Sequence, residues 1–358
     1  MAISTNYYIA VYGLFFVASM IFSFLINSLF LKFVRTLGIR NKDDTVIRWG
    51  SQSKPAVGGF SFYIVFLISI IIYSVFFDNN QVFLSKQFIG ILLASMLGFL
   101  LGLADDAYNT RPILKFLTQV TCAVILLVTG TSINFSYLDS LNFFLTIVWV
   151  VGIMNSLNML DNMDGITSTV SISIILSALT VMVFHQEYDT IYFMVLLGVM
   201  SSLFAFLYFN WHPSRMYMGD TGSQFLGVFL AAMGIRYLWN AEPPTGDLIS
   251  ARNLFLPLIV FMMPLIDTTT VVINRLMKGK SPFVGGKDHT THALAYLGLS
   301  DGRVALVFWV LTLISLAIVI IMEKYLGEWS NSYTILFSFY LASMFGIFFY
   351  ATRAVRNN

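Results

Sequence analysis

Asn155 to Gly165 reads NSLNMLDNMDG, five amide and carboxylate side chains set between two stretches apolar enough to cross a bilayer. Asn155, Asn158 and Asp161 recur every third residue. At ~100° per residue they share one face of a helix end. Gly165 and the turn-prone Asp161–Asn162 pair predict that the helix has stopped before Asp164. Further on, Asp220 stands in MGDTGS between Gly219 and Gly222, just ahead of another apolar run. Glycines there let backbone N–H groups approach an anion, and a helix N-terminus favours negative charge. A carboxylate in such a turn either caps the helix or holds a hard cation, since Mg²⁺ takes one or two carboxylates plus substrate phosphates. Asp105 and Asp106 are adjacent at the end of a third apolar run, in GLADDAYNTRPILKFLTQ. Two neighbouring carboxylates repel, so the pair calls for a cation or a basic partner.

Two further stretches add positive charge. KPAVGG (Lys54 to Gly59) puts a lysine before a Pro/Gly turn, either as an anchor or as a phosphate contact. SPFVGGKDHTTHALAYLG contains Lys287 and the HxxH pair His289 and His292, whose spacing predicts one helix face. No third ligand stands at helical spacing, so imidazoles beside a lysine fit a polyanion better than zinc. His185 and His212 read as loop histidines. Asp267, inside an apolar run, reads as a buried partner for a basic loop residue. Acids, a Gly-rich helix start, lysines and histidines together describe metal-assisted phosphoryl transfer.

The elements that position these groups are membrane spans. Hydrophobic residues make up 58% of the 358 and charged ones 11%, against ~25% charged in a soluble domain. Apolar windows near the ~20 residues needed to cross hydrocarbon fall at about 7–31, 57–77, 87–104, 113–130, 141–157, 166–184, 190–209, 222–239, 254–273, 304–323 and 332–352. The third to fifth are short. Met1 to Asn6 holds no basic residue and the first run is long, so it is read as a span and not a cleaved signal. Cys122 is the only cysteine, which excludes intrachain disulfides and multi-thiolate metal sites.

Sixteen of the twenty Lys and Arg residues fall in one set of loops, including Lys54, Arg111, Lys115, Arg215, Arg275 and Lys287; Lys86, Arg236, Arg252 and Lys324 are on the other side. By the positive-inside rule the first set is cytoplasmic. The expectation is an all-α polytopic integral membrane protein of about eleven transmembrane helices, N-terminus outside and C-terminus cytoplasmic. Residues 1–358 form one catalytic domain, with the site on cytoplasmic loops at about 32–56, 104–112, 158–165, 210–221 and 274–303. A transporter would show charges near mid-bilayer and internal repeats; here the charges cluster at one set of helix ends.

In this order the motifs resemble the polyprenyl-phosphate N-acetylhexosamine-1-phosphate transferase family, in its bacterial UDP-GlcNAc:undecaprenyl-phosphate GlcNAc-1-phosphate transferase-like branch. They are KPAVGG; DD followed by Lys115 and Gln119; NxxNxxDxxDG; Asn210 with MGDTGS; and SPF with HxxH. Asn162, Asn109 and Lys287 depart from the family's usual Gly, acid and Arg. The resemblance implies transfer of a HexNAc-1-phosphate, foremost GlcNAc-1-phosphate, from a UDP-sugar to undecaprenyl phosphate at the inner membrane, initiating a cell-surface glycan. The runner-up donor is UDP-MurNAc-pentapeptide, whose branch carries a three-histidine run in place of HxxH. It implies Mg²⁺, with Mn²⁺ as substitute, on Asp220. Asp105 and Asp106 would serve the lipid phosphate as base or as electrostatics, and Asp161, Asn155 and Asn158 would line the cleft. Asp164, Asn210, Tyr217 and Lys54 would face the uridine; Lys115, Lys287, His289 and His292 would contact phosphates or sugar. The implied partners are UDP-N-acetylhexosamine, polyprenyl phosphate and membrane lipid, with no nucleic acid; a homodimer is left open. A lipid phosphate with a second pKa near ~6 is mostly dianionic at neutral pH, so positioning should outweigh proton abstraction.

Overall fold

A computed structural model describes residues 5–37, 54–77, 85–241, 251–282 and 285–355. All eleven apolar windows fold as helix, as they must where no water satisfies backbone N–H and C=O groups. The described helices are α1 (Thr5–Leu37), α2 (Gly58–Phe76), α3 (Lys86–Tyr108), α4 (Pro112–Val128), α5 (Asp139–Leu160), α6 (Ile166–Phe184), α7 (Ile191–Asn210), α8 (Gly219–Gly234, continued by a π-helical turn, Ile235–Trp239), α9 (Ala251–Val260), α10 (Met262–Leu276), α11 (Thr290–Tyr296), α12 (Asp301–Tyr325) and α13 (Asn331–Ala354). Eight of them are long and apolar enough to span a membrane alone. The chain is therefore an all-α, multi-pass membrane protein. Residues 38–53, most of the first proposed site loop, and Phe283 and Val284 of SPFVGG lie outside the described residues.

The window at 254–273 is not a straight span: α9 and α10 meet at 79°. Pro264 lies in the first turn of α10 and has no N–H to give to the Val260 carbonyl. The bend follows from that missing rung.

The bundle is built around α8, which packs against α2, α3, α5 and α6. Every residue from Thr221 to Ile235 is buried, as suits a helix that is apolar all round. Glycine lets its neighbours come close. A Cβ on Gly102 of α3 would collide with the Asp220 carbonyl, and one on Gly59 of α2 with the Gly222 backbone. Two helices thus press on the first turn of α8, a small-residue contact typical of membrane bundles. Exposed apolar side chains cover α1 and α13.

At the other ends of the helices, a buried Arg252 donates to Glu323 at 2.5 Å, and His185 Nε2 lies 3.3 Å from the same carboxylate. His185 is therefore not the solvated loop histidine that its position suggested. Its partner lies 138 residues away, beyond the reach of local pattern.

Candidate active site

The DD motif divides at the end of α3. Asn109 takes the left-handed conformation, φ 50°, and caps the helix through its N–H to the Asp105 carbonyl; Asn tolerates that region better than most residues. Successive side chains point ~100° apart, and the two acids meet different partners. Asp106 receives the Asp220 N–H at 3.1 Å, the Thr221 N–H at 2.9 Å and the Thr221 hydroxyl at 2.7 Å. It thus caps α8 from another helix, satisfying donors that a helix start leaves open. Asp105 faces the other way. Its Oδ1 accepts from the Thr110 N–H (2.8 Å) and hydroxyl (2.6 Å), and its Oδ2 is paired with Lys115 Nζ.

Lys115, one turn into α4 behind Pro112, also reaches Asp220 Oδ2 at 3.1 Å. Asn158 Nδ2 donates to Asp220 Oδ1 at 3.0 Å and to the Ser223 hydroxyl at 2.9 Å. The Asp220 side chain is 33% exposed against 5% for Asp105, so Asp220 stands at the opening and Asp105 beneath it. Asn155, on the same face of α5, donates to Gln119 Oε1 at 2.8 Å, and Gln119 donates to Gln224 at 3.2 Å. This amide layer ties α4, α5 and α8 together below the acids. Asp161 is the C-cap of α5.

Beyond α5 the chain turns at Gly165, φ 78°, and Asp164 joins a second group. Its carboxylate accepts from the Ser214 N–H (2.9 Å) and hydroxyl (2.7 Å), lies 3.2 Å from His212 Nδ1 and 3.7 Å from Lys54 Nζ. Lys54 in turn donates to Ser214 Oγ at 2.9 Å and lies over the Tyr217 ring, 5.2 Å from its centre. Asn210 is turned inward: its carbonyl takes the Gly165 N–H (3.1 Å) and Ser168 hydroxyl (3.0 Å), and its amide donates to Met216 O. The KPAVGG stretch pairs with this loop through Tyr217 N–H to Pro55 O (2.8 Å) and Gly59 N–H to Met218 O (3.0 Å).

The HxxH pair is not carried wholly on one helix. His289 is the N-cap of α11 and His292 lies within its first turn, the rings 5.2 Å apart and edge to face. Asp267 of α10, fully buried, is the partner that holds His289. It accepts from the Thr290 N–H (2.8 Å) and hydroxyl (2.6 Å) and pairs with His289 Nδ1 at 2.8 Å. Burial pushes the His292 imidazole down to about 4, with His289 beside it acting in the same direction. Thr291 donates to Asn162 at 2.7 Å, linking this loop to NSLNMLDNMDG. Arg275 grips Asp288 through two bonds, at 2.8 and 2.6 Å. Burial would raise the Asp288 carboxyl, but that grip holds it below the usual range. A cavity of about 470 Å³ opens here, lined by Arg275, Lys278, Lys280, Lys287 and Asp288 among others.

Direct bonds therefore stitch all five sequence motifs together at one set of helix ends. Among the described residues no group of three or more His, Cys, Asp or Glu converges as a metal cage. The donors do fit a hard cation of another kind. Asp105 and Asp220 already turn one oxygen each toward a shared ammonium, and Mg²⁺ ordinarily takes one or two carboxylates and completes its shell with water and substrate phosphate. Thr110, Ser214 and Thr291 were not singled out from sequence, and Arg275 entered only the charge count. They are common residue types whose role lies only in what they touch. Asp267 was noticed, because a carboxylate inside an apolar run is costly, but its partner was not.

The glycosyl transferase family 4 model matches residues 88–238, which hold the DD, NxxNxxDxxDG and MGDTGS motifs. Among curated proteins, the phospho-N-acetylmuramoyl-pentapeptide-transferase of Carboxydothermus hydrogenoformans is 31% identical over 297 residues, covering 74% of this chain and 83% of the relative. The probable undecaprenyl-phosphate N-acetylglucosaminyl 1-phosphate transferase of Bacillus subtilis is 27% identical over 266 residues, with 72% and 70% covered. The decaprenyl-phosphate N-acetylglucosaminephosphotransferase of Mycolicibacterium smegmatis is 26% identical over 286 residues, with 72% and 69% covered.

Proposed function

The chain belongs to glycosyl transferase family 4, and from that premise we propose that it moves N-acetylglucosamine 1-phosphate from UDP-GlcNAc to undecaprenyl phosphate, with Mg²⁺, at the cytoplasmic face of the inner membrane. It is a phosphotransferase acting between a UDP-HexNAc and a polyprenyl phosphate. The observation that supports metal-assisted phosphoryl transfer here is the Asp105–Lys115–Asp220 cluster, held by Asn158 where apolar helices end.

In the reaction an oxygen of the lipid phosphate bonds to the phosphorus that bears the sugar. The bond from that phosphorus to the bridging oxygen breaks, and its electron pair leaves with UMP. The product is a polyprenyl diphosphate sugar. Asp220 would hold the metal, which when bound neutralises the donor diphosphate and the charge that develops as UMP departs. Asn158 fixes the rotamer of Asp220 through Oδ1. Asp106 fixes the turn on which Asp220 stands. Asp105 and Lys115 position the acceptor phosphate, which is mostly ionised at neutral pH, with a second pKa of about 6, and needs placement more than deprotonation. Lys54, Tyr217 and Asp164 form the nucleoside end, and Lys287 with the His289–His292 pair completes the donor side; the bond from Thr291 to Asn162 keeps that loop against the cleft.

The 31% identity to a phospho-N-acetylmuramoyl-pentapeptide-transferase supports UDP-MurNAc-pentapeptide as the second donor to test. Purified protein given Mg²⁺, undecaprenyl phosphate and a panel of UDP-GlcNAc, UDP-GalNAc and UDP-MurNAc-pentapeptide should release UMP with UDP-GlcNAc. Turnover with the muramoyl donor alone would exchange the two readings, and no UMP with any of them would end both.

A further inference from the structure

Asp105 and Asp220 are bound in a parallel way. One oxygen of each is fixed by neutral donors: Thr110 N–H and hydroxyl on Asp105 Oδ1, and Asn158 Nδ2 on Asp220 Oδ1. The second oxygen of each, Oδ2, goes to Lys115 Nζ. The ammonium therefore stands against the very oxygen of Asp220 that is left for a divalent cation. A divalent cation there would repel the ammonium and weaken its hold on Asp220, since like charges a few ångströms apart repel where water is partly excluded. Three carboxylates, Asp105, Asp106 and Asp220, meet at this place, and one lysine does not balance them. Asp106 is offset by the N–H groups that start α8. With both carboxyls ionised, Lys115 alone leaves the Asp105–Asp220 pair one charge short of neutral, a charge that a divalent ion can supply.

Lys115 is also free to move in a way the acids are not. Its side chain is 25% exposed, and a four-carbon stem with a point charge swings without loss of directed geometry. Asp105, from which it need not part, is 5% exposed and anchored by Thr110.

We infer that Lys115 is an exchangeable counter-ion: it bridges Asp105 and Asp220, and a divalent cation taking Asp220 releases its ammonium, still seated on Asp105, to receive the acceptor phosphate. This rests on reading Asp220 as the metal ligand. One displacement then does two things, filling the metal position and creating the positive charge that the lipid phosphate meets. By linkage the coupling is reciprocal: metal favours acceptor, and acceptor favours metal. The enzyme would therefore hold a lipid phosphate well only when its metal is in place.

Mn²⁺ binding to the intact, detergent-purified chain, followed by the electron paramagnetic resonance of free Mn²⁺, tests this without turnover. Without lipid, Lys115→Met and Lys115→Gln should each bind Mn²⁺ about 5- to 150-fold tighter than the unaltered protein, the usual range of a coupling between sites. Lys115→Arg, which keeps the charge, should not tighten it. In assays, Lys115→Met should need less metal for half-saturation while its KM for undecaprenyl phosphate rises. If Lys115→Met and Lys115→Gln, folded by thermal unfolding, bind Mn²⁺ no tighter than the unaltered protein, the exchange is wrong although Asp220 could still be the ligand. If Asp220→Asn binds Mn²⁺ as well as the unaltered protein, the metal assignment fails and takes the exchange with it.

Discussion

The Asp106 carboxylate, at the end of α3, receives the Thr221 N–H at 2.9 Å and the Thr221 hydroxyl at 2.7 Å across 115 residues of chain. The capping residue of α8 is thus borrowed from another helix, and the turn bearing Asp220 is set by it.

Asp105→Asn and Asp106→Asn should therefore differ. Asp106→Asn weakens a cap and should lower stability by about 1 kcal/mol, read as a lower Tm, with a moderate loss of kcat as Asp220 shifts. Asp105→Asn should reduce kcat by at least about 10²-fold, the scale of losing one aligned transition-state contact, with less change in Tm. Measuring kcat/KM from pH ~6 to ~9 across the second phosphate pKa separates two roles for Asp105. A loss that persists at every pH means positioning, and recovery at high pH means a general base. Equal kcat losses with unchanged Tm in both variants would refute the division.

Asp220→Asn should lose at least about 10²-fold in kcat while binding UDP-GlcNAc nearly as before, since the lost interaction strengthens mainly in the transition state. Its Asn158 bond can persist through the amide oxygen, so the variant should fold. Full turnover in this variant, or in the unaltered protein with excess chelator, would remove the metal from Asp220.

His292 makes the fold sensitive to acid. Its burial lowers the imidazole from 6.5 to about 4, so the unfolded chain takes up the proton first as pH falls. The stabilisation is complete above about pH 6.5 and is lost through the interval down to about 4, at no more than ~1.4 kcal/mol per pH unit for one proton. Asp288, held below 3.8, adds its own loss only at lower pH. Relative to the unaltered protein, His292→Gln should therefore keep more of its Tm as pH falls from 6.5 to 4. Parallel curves for the two proteins would clear His292 of that role.

The sixteen-to-four distribution of Lys and Arg predicts which way the chain lies. In a Cys122→Ser background, Tyr137→Cys should react with an impermeant thiol reagent from outside intact cells and Ser281→Cys should not. Both positions are exposed. Outside labelling of Ser281→Cys would reverse the orientation and move the proposed site to the other face.

What the sequence by itself determined is what depends on neighbours in the chain. Apolar length marked the eleven helical windows, and the stop before Asp164 followed from Asp161, Asn162 and Gly165, because helix ends are decided within a turn. At ~100° per residue, the adjacency of Asp105 and Asp106 means that one alone can face the cleft. Which one it is, only tertiary structure decided, since that depends on where α8 begins relative to the end of α3, a matter of Gly102 packing on the Asp220 carbonyl. The same holds for Asn155 and Asn210, whose amides serve Gln119, Gly165 and Met216, and for Asp267, whose partner His289 is 22 residues on. A polar side chain in an apolar chain announces that it needs a partner, because leaving it unpaired is costly. It does not say which, because the partner is chosen by how the helices pack.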